Sequence, residues 1–411
     1  MVRSADQHIM MPPEDRPKLL TGRFFLLFMG HLFFGFSFWP YVLLPVYLQD
    51  LGSGLADIGI IMGTASVSGI LLRPWIGVAL ERIGRRRCLL IGGLVFLIAH
   101  LLYLTIDRIA WEIYMIRLIH GFGIGILFST FFTLAADISP LSRRTEGIAL
   151  FGIAGHLSGA LGIPLGEQIV RLSGYRGLFL ACASFTLLFI LIGFFLADPP
   201  VEKKRGDLFD VYRFVKTTFY PSNRVPVLAT GFFAIGLTSY MVFLKPYAHD
   251  IGLGVSTFFL AYSLTAVSIR LIGGTWPDRF GLKRVLYPSF VFLAVGIAWL
   301  GLWPSSTGLL FSGMLCGIGH GFIFPILSVL FINRAPDSER GARMALFTLF
   351  FDIGIFIGSP LWGFVAHAHG YISMFFLSAG IVFVSILAFV FLDHSDHFDV
   401  AIESKHLSDS K

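Results

Sequence analysis

The stretch RPWIGVALERIGRRR, residues 73–87, ends a long apolar run with a short and strongly basic turn. A second stretch, RLIGGTWPDRFGLKR, covers residues 270–284 and follows the same order of residue types. Arg73 aligns with Arg270 at an offset of 197 residues (270 − 73), and the offset holds through both stretches. Because the offset is about half of the chain length, the repeat predicts two structurally similar halves.

The composition is that of a membrane protein. The 411 residues are 55% hydrophobic and 14% charged, include 44 Phe, and have a mean hydropathy of +0.78. A soluble chain of this size needs more charge to cover its surface. The net charge is +6, and the basic residues lie in short loops between apolar runs. This placement favours a role in setting membrane topology over nucleic-acid binding. Cys88, Cys182 and Cys316 lie in or beside apolar runs, so they indicate neither a disulfide framework nor a metal site.

The apolar runs predict an all-α polytopic membrane protein with twelve transmembrane helices. They fall into two bundles, 23–197 and 226–392, joined by a polar loop at 198–225, with tails at 1–22 and 393–411. The predicted spans are 24–48, 56–79, 88–106, 111–134, 146–170, 175–197, 226–248, 256–276, 285–303, 307–332, 342–366 and 371–392.

Lys and Arg are distributed unequally between the loops of the two sides. Most of them fall on the side that carries both termini, whereas the loops of the other side hold only Arg108, Arg171 and Arg176. Loops rich in Lys and Arg remain in the cytoplasm. We therefore expect both termini to be cytoplasmic.

The basic turn resembles motif A of the major facilitator superfamily of transporters, a Gly-x3-acid-Arg-x-Gly-Arg-Arg pattern between the second and third helices. The resemblance implies two pseudo-symmetric six-helix bundles, with this motif joining them on the cytoplasmic side when the outward-facing state closes. Asp137, at the cytoplasmic end of the fourth span, is then a partner for the basic loops. The residues that fit the motif are Gly77, Glu81, Arg82, Gly84, Arg85 and Arg86, and the second copy has Asp278, Arg279 and Gly281.

The sequence of the fourth and fifth spans aligns with that of the tenth and eleventh spans at an offset of 196 residues (317 − 121). In this alignment Gly121 matches Gly317. The glycines of the fourth span do not fit a dinucleotide fingerprint, because no strand precedes them, and they favour close helix packing. In the fifth span, Gly162 and Pro164 loosely resemble motif C of proton-coupled antiporters. A Gly/Pro bend at the interface explains the same residues.

Arg117 resembles the arginine of motif B, an Arg-x3-Gly-x3-Gly pattern linked to proton transfer in antiporters. His120 lies on the same helix face. The resemblance implies a cavity role for Arg117; the alternative is that its guanidinium binds backbone carbonyls or reaches outward to the membrane surface.

Asp352 lies near the middle of the span 342–366, and no Lys or Arg is near it on that span. A carboxylate in low dielectric favours its neutral form, so Asp352 is a candidate proton carrier. The alternative is a hydrogen-bonded carboxylate that holds the halves together. His156 occupies the equivalent position in the first half, 196 residues earlier (352 − 156).

Four further residues are open between binding and structural roles. His320 is a proton relay, a substrate ligand or a packed neutral side chain. Lys245 either reaches the membrane surface or attracts an anionic group. Arg73 and Arg270 favour gating or anchoring of the halves over substrate contact, because their positions match.

We therefore predict a secondary active transporter and not an enzyme, with no cofactor and no metal. The expected activity is proton-coupled efflux of a small amphipathic molecule by a monomer in a bacterial inner membrane. One alternative is a proton symporter that imports a small organic anion, with Arg117 or Lys245 as its counter-charge. Another is a non-transporting membrane sensor or scaffold.

Overall fold

The computed structural model describes residues 18–140, 143–196, 224–333 and 340–392, and within these ranges all regular structure is helical. Helix α1 begins at Thr21, whose hydroxyl accepts a hydrogen bond from the Phe24 N–H and caps the first turn. The helices are α1 (Gly22–Phe38), a 3-10 helix (Trp39–Leu43), α2 (Leu44–Asp50), α3 (Leu55–Ile83), α4 (Arg85–Tyr103), α5 (Trp111–Ile138), α6 (Arg144–Phe195), α7 (Arg224–Asp250), α8 (Ser256–Gly273), α9 (Trp276–Phe280), α10 (Leu282–Leu302), α11 (Ser306–Asn333) and α12 (Arg340–Leu392).

Two helices are longer than a single crossing of the bilayer requires. Helices α6 and α12 contain 52 and 53 residues, which at 1.5 Å per residue is about 80 Å, against about 30 Å of hydrocarbon. Each is interrupted by a non-helical glycine, Gly174 in α6 and Gly370 in α12. Ten described helical segments are long and apolar enough to span a membrane, and dividing these two at their glycines brings the number to twelve.

Left-handed glycines repeat with the same offset as the sequence. Gly84 has φ 98° and Gly281 has φ 94°, and these two residues are 197 positions apart (281 − 84). Gly174 and Gly370, with φ 67° and 80°, are 196 positions apart (370 − 174). Only glycine adopts these angles without strain, so matching turns fix the same helix order in both halves.

The first predicted span, 24–48, is a broken helix rather than a continuous one. Pro40 and Pro45 lack a backbone N–H and stand at the starts of the 3-10 helix and α2. We call the face where α1 begins the terminal face, and the face where α3 begins the opposite face.

The first half (to residue 196) meets the second half (from residue 224) where α3 packs on α12 and α6 packs on α8. Small residues allow the backbones to approach closely: a side chain at Gly59 would collide with the carbonyl of Ser359, and a Cβ on Gly363 would stand 2.5 Å from the carbonyl oxygen of Leu55. These contacts lie toward the opposite face. The three cysteines are free and buried.

Candidate functional site

An ion pair joins the two halves where α3 crosses α12. The Arg73 Nε donates to Asp352 Oδ2 at 2.8 Å, and an Nη of the same guanidinium donates to the Ser129 hydroxyl at 3.3 Å. Both charged side chains are largely buried, at 12% and 13% exposed. Gly69 makes room for the carboxylate, because a Cβ there would stand 2.8 Å from Asp352 Oδ2. Asp352 is thus held by an arginine of the other half, 279 residues away.

The repeat-equivalent position on the other side of the interface holds a different set of groups. Arg270 on α8 faces α6, where a Cβ on Gly152 would stand 3.4 Å from a guanidinium nitrogen. His156, the counterpart of Asp352, is 7% exposed, and its Nδ1 has no hydrogen-bond partner. The Nε of Arg270 also lacks a hydrogen-bond partner. A cation and a histidine therefore stand where the first interface has a cation and a carboxylate.

Aromatic side chains surround this second group. The ring of His320 lies 6.2 Å from the ring of His156, and its Nδ1 is 2.8 Å from the Tyr262 hydroxyl. Phe233 meets His320 edge-on at 5.4 Å, and Phe324 stacks on it at 5.9 Å. Polar donors and an apolar aromatic wall thus share one region between α6, α7, α8 and α11. We call Arg270, His156, His320 and Tyr262 the cationic cluster.

Arg117 and His120 lie away from this region, inside the first half. Arg117 is 5% exposed and donates to the carbonyl oxygens of Ile61 and Met62 at 3.3 and 2.9 Å. The His120 ring lies beside it, with Nδ1 3.1 Å from the Tyr103 hydroxyl. The backbone carbonyls of α3 therefore satisfy the arginine, which matches the structural alternative for this residue.

A second charged link joins the halves at the opposite face. Lys245 on α7 donates to Glu167 on α6 at 2.6 Å. The same carboxylate accepts the backbone N–H groups of Val255 and Ser256 at 3.1 and 3.2 Å, at the start of α8. We call this set the opposite-face tie. Lys245 is thus occupied by a carboxylate that belongs to the other half.

The basic turn after α3 is organised within the first half. Arg85 is buried and donates to Asp137 at 3.0 Å and to the Leu80 carbonyl at 2.9 Å, while Arg86 donates to the Phe194 carbonyl at 2.7 Å. Arg82 is exposed. The sequence-predicted partner Asp137 therefore does meet the basic turn.

The second copy of the basic turn has a glycine in the same backbone conformation as the first copy, and fewer of its side-chain contacts are described. Gly281 takes the left-handed conformation, and the exposed Arg279 lies over the Phe280 ring at 5.4 Å. The side chains of Glu81 and Asp278 lie outside the described residues, and Gly77 is described by its helical backbone alone.

Three residues that the sequence reasoning did not select complete these sites. Glu167 carries the opposite-face tie, Tyr262 holds His320, and Ser129 supports Arg73. Glu167 carried the same signal as Asp352, an acid within an apolar span. Tyr262 and Ser129 had no such signal, because tyrosines and serines are common in these helices.

Two repeated helical halves with charged residues at their interface define the class of secondary transporters. The family model of the Major Facilitator Superfamily matches residues 24–269 and 226–406. The chain therefore belongs to the Major Facilitator Superfamily, a family of transporters and not of enzymes.

Relatives named as transporters align along nearly the whole chain. The MFS-type transporter YhhS of Escherichia coli K12 is 24% identical over 395 residues, which cover 92% of this chain and 95% of YhhS. The MFS-type transporter MJ1560 of Methanocaldococcus jannaschii is 22% identical over 353 residues, which cover 82% of this chain and 89% of MJ1560.

Solved structures agree on the fold. The nucleoside transporter NupG superposes with a TM-score of 0.73 at 15% identity, over 92% of this chain and 100% of NupG. The human organic anion transporter MFSD10 (TETRAN) superposes with a TM-score of 0.70 at 18% identity, over 92% of this chain and 100% of that protein. A D-xylose-proton symporter superposes with a TM-score of 0.72 at 15% identity, over 90% of this chain and 96% of the symporter. At these identities the likeness shows the fold alone. The chain is an integral membrane transporter of small molecules.

Proposed function

We propose that this protein is a proton-coupled secondary transporter in which the Arg73–Asp352 ion pair couples protonation to alternating access. The ion pair carries the proposal, because it joins α3 of one half to α12 of the other across the interface that must open and close. Asp352 is the 13th residue of α12 (352 − 340 = 12 positions after its start) and the seventh of the candidate span Leu346–Leu392 (352 − 346 = 6), so it lies inside the span, within two turns of its start. Buried acids at such depth serve proton relays in pumps and transporters.

The coupling step is the transfer of one proton to the carboxylate of Asp352. The neutral acid loses its Coulomb attraction to Arg73, whereas Arg73 keeps its hydrogen bond to Ser129 within its own half. Breaking a buried ion pair changes the free energy by about 3–5 kcal/mol, which is enough to shift a conformational equilibrium. Protonation thus favours separation of α3 from α12, and loss of the proton favours their association.

The opposite-face tie supplies the gate on the other side. Glu167 holds Lys245 and the start of α8, so the halves are joined at the opposite face in this conformation. The terminal face is assigned to the cytoplasm from its Lys and Arg content, and this conformation is then closed toward the outside. Outward opening requires Glu167 to release α7 and α8.

The proposed substrate is a small amphipathic molecule and the proposed direction is efflux. The aromatic wall of Phe233 and Phe324 beside the histidines suits a compound with an apolar body and a polar group. The direction rests on the resemblance of Gly162 and Pro164 to an antiporter pattern. In the structure Gly162 packs against Phe36 of α1, as close helix packing also requires.

The test is metabolite profiling of cells and medium. Cells with the wild type are compared with cells with Asp352→Asn and with Asp107→Asn, an exposed carboxylate in the loop before α5 that serves as the matched control. Efflux predicts a compound that is depleted inside and enriched outside with the wild type and Asp107→Asn only. The reverse distribution would make the protein an importer, and equal profiles for the wild type and Asp352→Asn would contradict the coupling role.

A further inference from the structure

The repeat places two arginines at equivalent points of the interface, and among the described side chains only Arg73 has a carboxylate partner. Arg73 is paired with Asp352, whereas Arg270 faces the segment of α6 that carries His156 in place of the acid. The described ion pairs Arg73–Asp352, Arg85–Asp137 and Lys245–Glu167 do not include Arg270.

The environment of Arg270 makes this imbalance costly. The residue lies in the last turn of α8, inside the membrane span Ser256–Gly273. An arginine at the centre of a membrane helix costs about 3 kcal/mol unless it is paired or faces water, and the cost is smaller near a helix end, where Arg270 lies. Its guanidinium has five N–H donors, and the Nε donor has no acceptor. The buried Nδ1 of His156 has no partner either. A missing acidic group would satisfy both.

The same residues define what kind of group is missing. A guanidinium binds carboxylate and phosphate oxygens through two parallel hydrogen bonds, which gives both affinity and orientation. His156 and the His320–Tyr262 pair add polar contacts next to it. Phe233 and Phe324 add an apolar surface beside His320. The set fits an anionic head attached to an apolar body.

We infer that the cationic cluster binds the acidic group of the transported molecule, so that the substrate is an amphipathic organic anion. This inference rests on the proposed function, since it names the substrate class of the same central region. The anion stands in for the carboxylate that the repeat lacks at His156. The shared chemistry is an oxyanion, and carboxylates and phosphates are separate arms of the test.

Binding is measured without transport, on the purified full-length protein in detergent, as the shift of the melting temperature with ligand. The probes are octanoate and benzoate, their neutral partners octanamide and benzamide, and octyl phosphate with inorganic phosphate. We expect the amphipathic anions to stabilise the wild type and the amides to have no effect. Arg270→Gln should weaken anion binding at least about tenfold, and Arg270→Lys should weaken it less. Arg224→Gln, which removes an exposed cation of the same half, should bind like the wild type.

Two variants keep the test decisive if Arg270→Gln fails to fold. His156→Asp places a carboxylate opposite Arg270, so it should stabilise the empty protein and abolish the response to anions. His156→Asn is its uncharged control and should retain the response. Equal responses of the wild type and the Arg270 variants, or no wild-type response to any anion up to about 10 mM, would overturn the inference. A lack of proton coupling in transport would instead refute the role of Asp352 and leave the anion site standing.

Discussion

The two interfaces between the halves have the same architecture and different charges. On the α3–α12 side an arginine and a carboxylate form a buried ion pair, and on the α6–α8 side an arginine and a histidine leave the positive charge without a carboxylate among the described side chains. Because the positions are related by the repeat, the difference arises from the residues alone. One interface is suited to hold the halves together until a proton arrives, and the other is suited to receive an external group.

This comparison separates two tasks that a coupled transporter must combine. A proton site needs a carboxylate whose charge matters to the conformation, and a substrate site needs a group that is left unsatisfied until the ligand binds. Two positions related by the repeat can serve these two tasks because they differ in residue type: position 352 is Asp and position 156 is His.

The largest effect is expected from removal of the carboxylate charge. Asp352→Asn should reduce transport driven by a pH gradient at least about tenfold, because protonation no longer changes the attraction to Arg73. The measurement is uptake or release of the identified substrate in membrane vesicles with an imposed pH gradient. Gradient-driven transport at the wild-type rate in Asp352→Asn would remove the functional distinction between the two interfaces.

The next effect concerns the ion pair itself. Asp352→His leaves both arginines without a carboxylate and should lower the free energy of unfolding by about 3–5 kcal/mol. Adding His156→Asp moves the carboxylate to the other interface and should recover more than half of this loss. Thermal unfolding in detergent of the wild type, both single variants and the double variant measures the coupling. A double variant that is no more stable than Asp352→His alone would show that the interfaces are not interchangeable.

A smaller effect is expected at the opposite-face tie, which joins α6 of the first half to α7 and α8 of the second. Glu167→Gln removes the charge that holds Lys245 and should favour outward opening about tenfold. The readout is labelling of a Ser263→Cys probe by a membrane-impermeant thiol reagent, because Ser263 is 1% exposed and lies near Gly159 and Trp39. Arg171→Gln, an exposed change on the same face, is the control. Unchanged labelling in Glu167→Gln would exclude the tie as a gate.

The smallest change in stability is expected when alanine replaces the glycine that faces each of the two arginine sites. A Cβ on Gly69 would stand 2.8 Å from Asp352 Oδ2, whereas a Cβ on Gly152 would stand 3.4 Å from Arg270. Gly69→Ala should destabilise the protein by about 1 kcal/mol, because the ion pair must shift. Gly152→Ala should be neutral or slightly stabilising, since alanine favours helix by about 1 kcal/mol over glycine. Melting temperatures provide the measurement, and the opposite order would contradict the described geometry.

Much of the fold was predictable from local signals. Apolar runs predicted the positions of the membrane helices, and the repeat predicted matching turns, which Gly84 and Gly281 confirm through their left-handed backbones. The break of the first span was less predictable, because Pro40 and Pro45 within an apolar run can either kink a helix or end it.

Individual residues of the site could be predicted from the sequence, but the contacts between them could not. Asp352 stood out as a carboxylate in an apolar span, but its partner Arg73 lies 279 residues away and belongs to the other half. Arg117 matched a functional pattern, yet the backbone carbonyls of α3 lie within its reach. The close approach at Gly121, where a side chain would collide with the carbonyl of Ala65, brings them there. Such contacts depend on how each helix is rotated, which spacing along one chain does not determine.

The unpaired charge of Arg270 also bears on how the membrane voltage acts on the transport cycle. With the ion pair counted as neutral, the central region of the empty protein carries one positive charge, and the inferred monoanion cancels it. A charge that crosses the full field gains about 2.3 kcal/mol per 100 mV, and a charge that moves only part of the way gains a fraction of this. The loaded protein then reorients without electrical work. The return without the anion becomes the voltage-dependent step, and the proton bound to Asp352 adds a second positive charge to it.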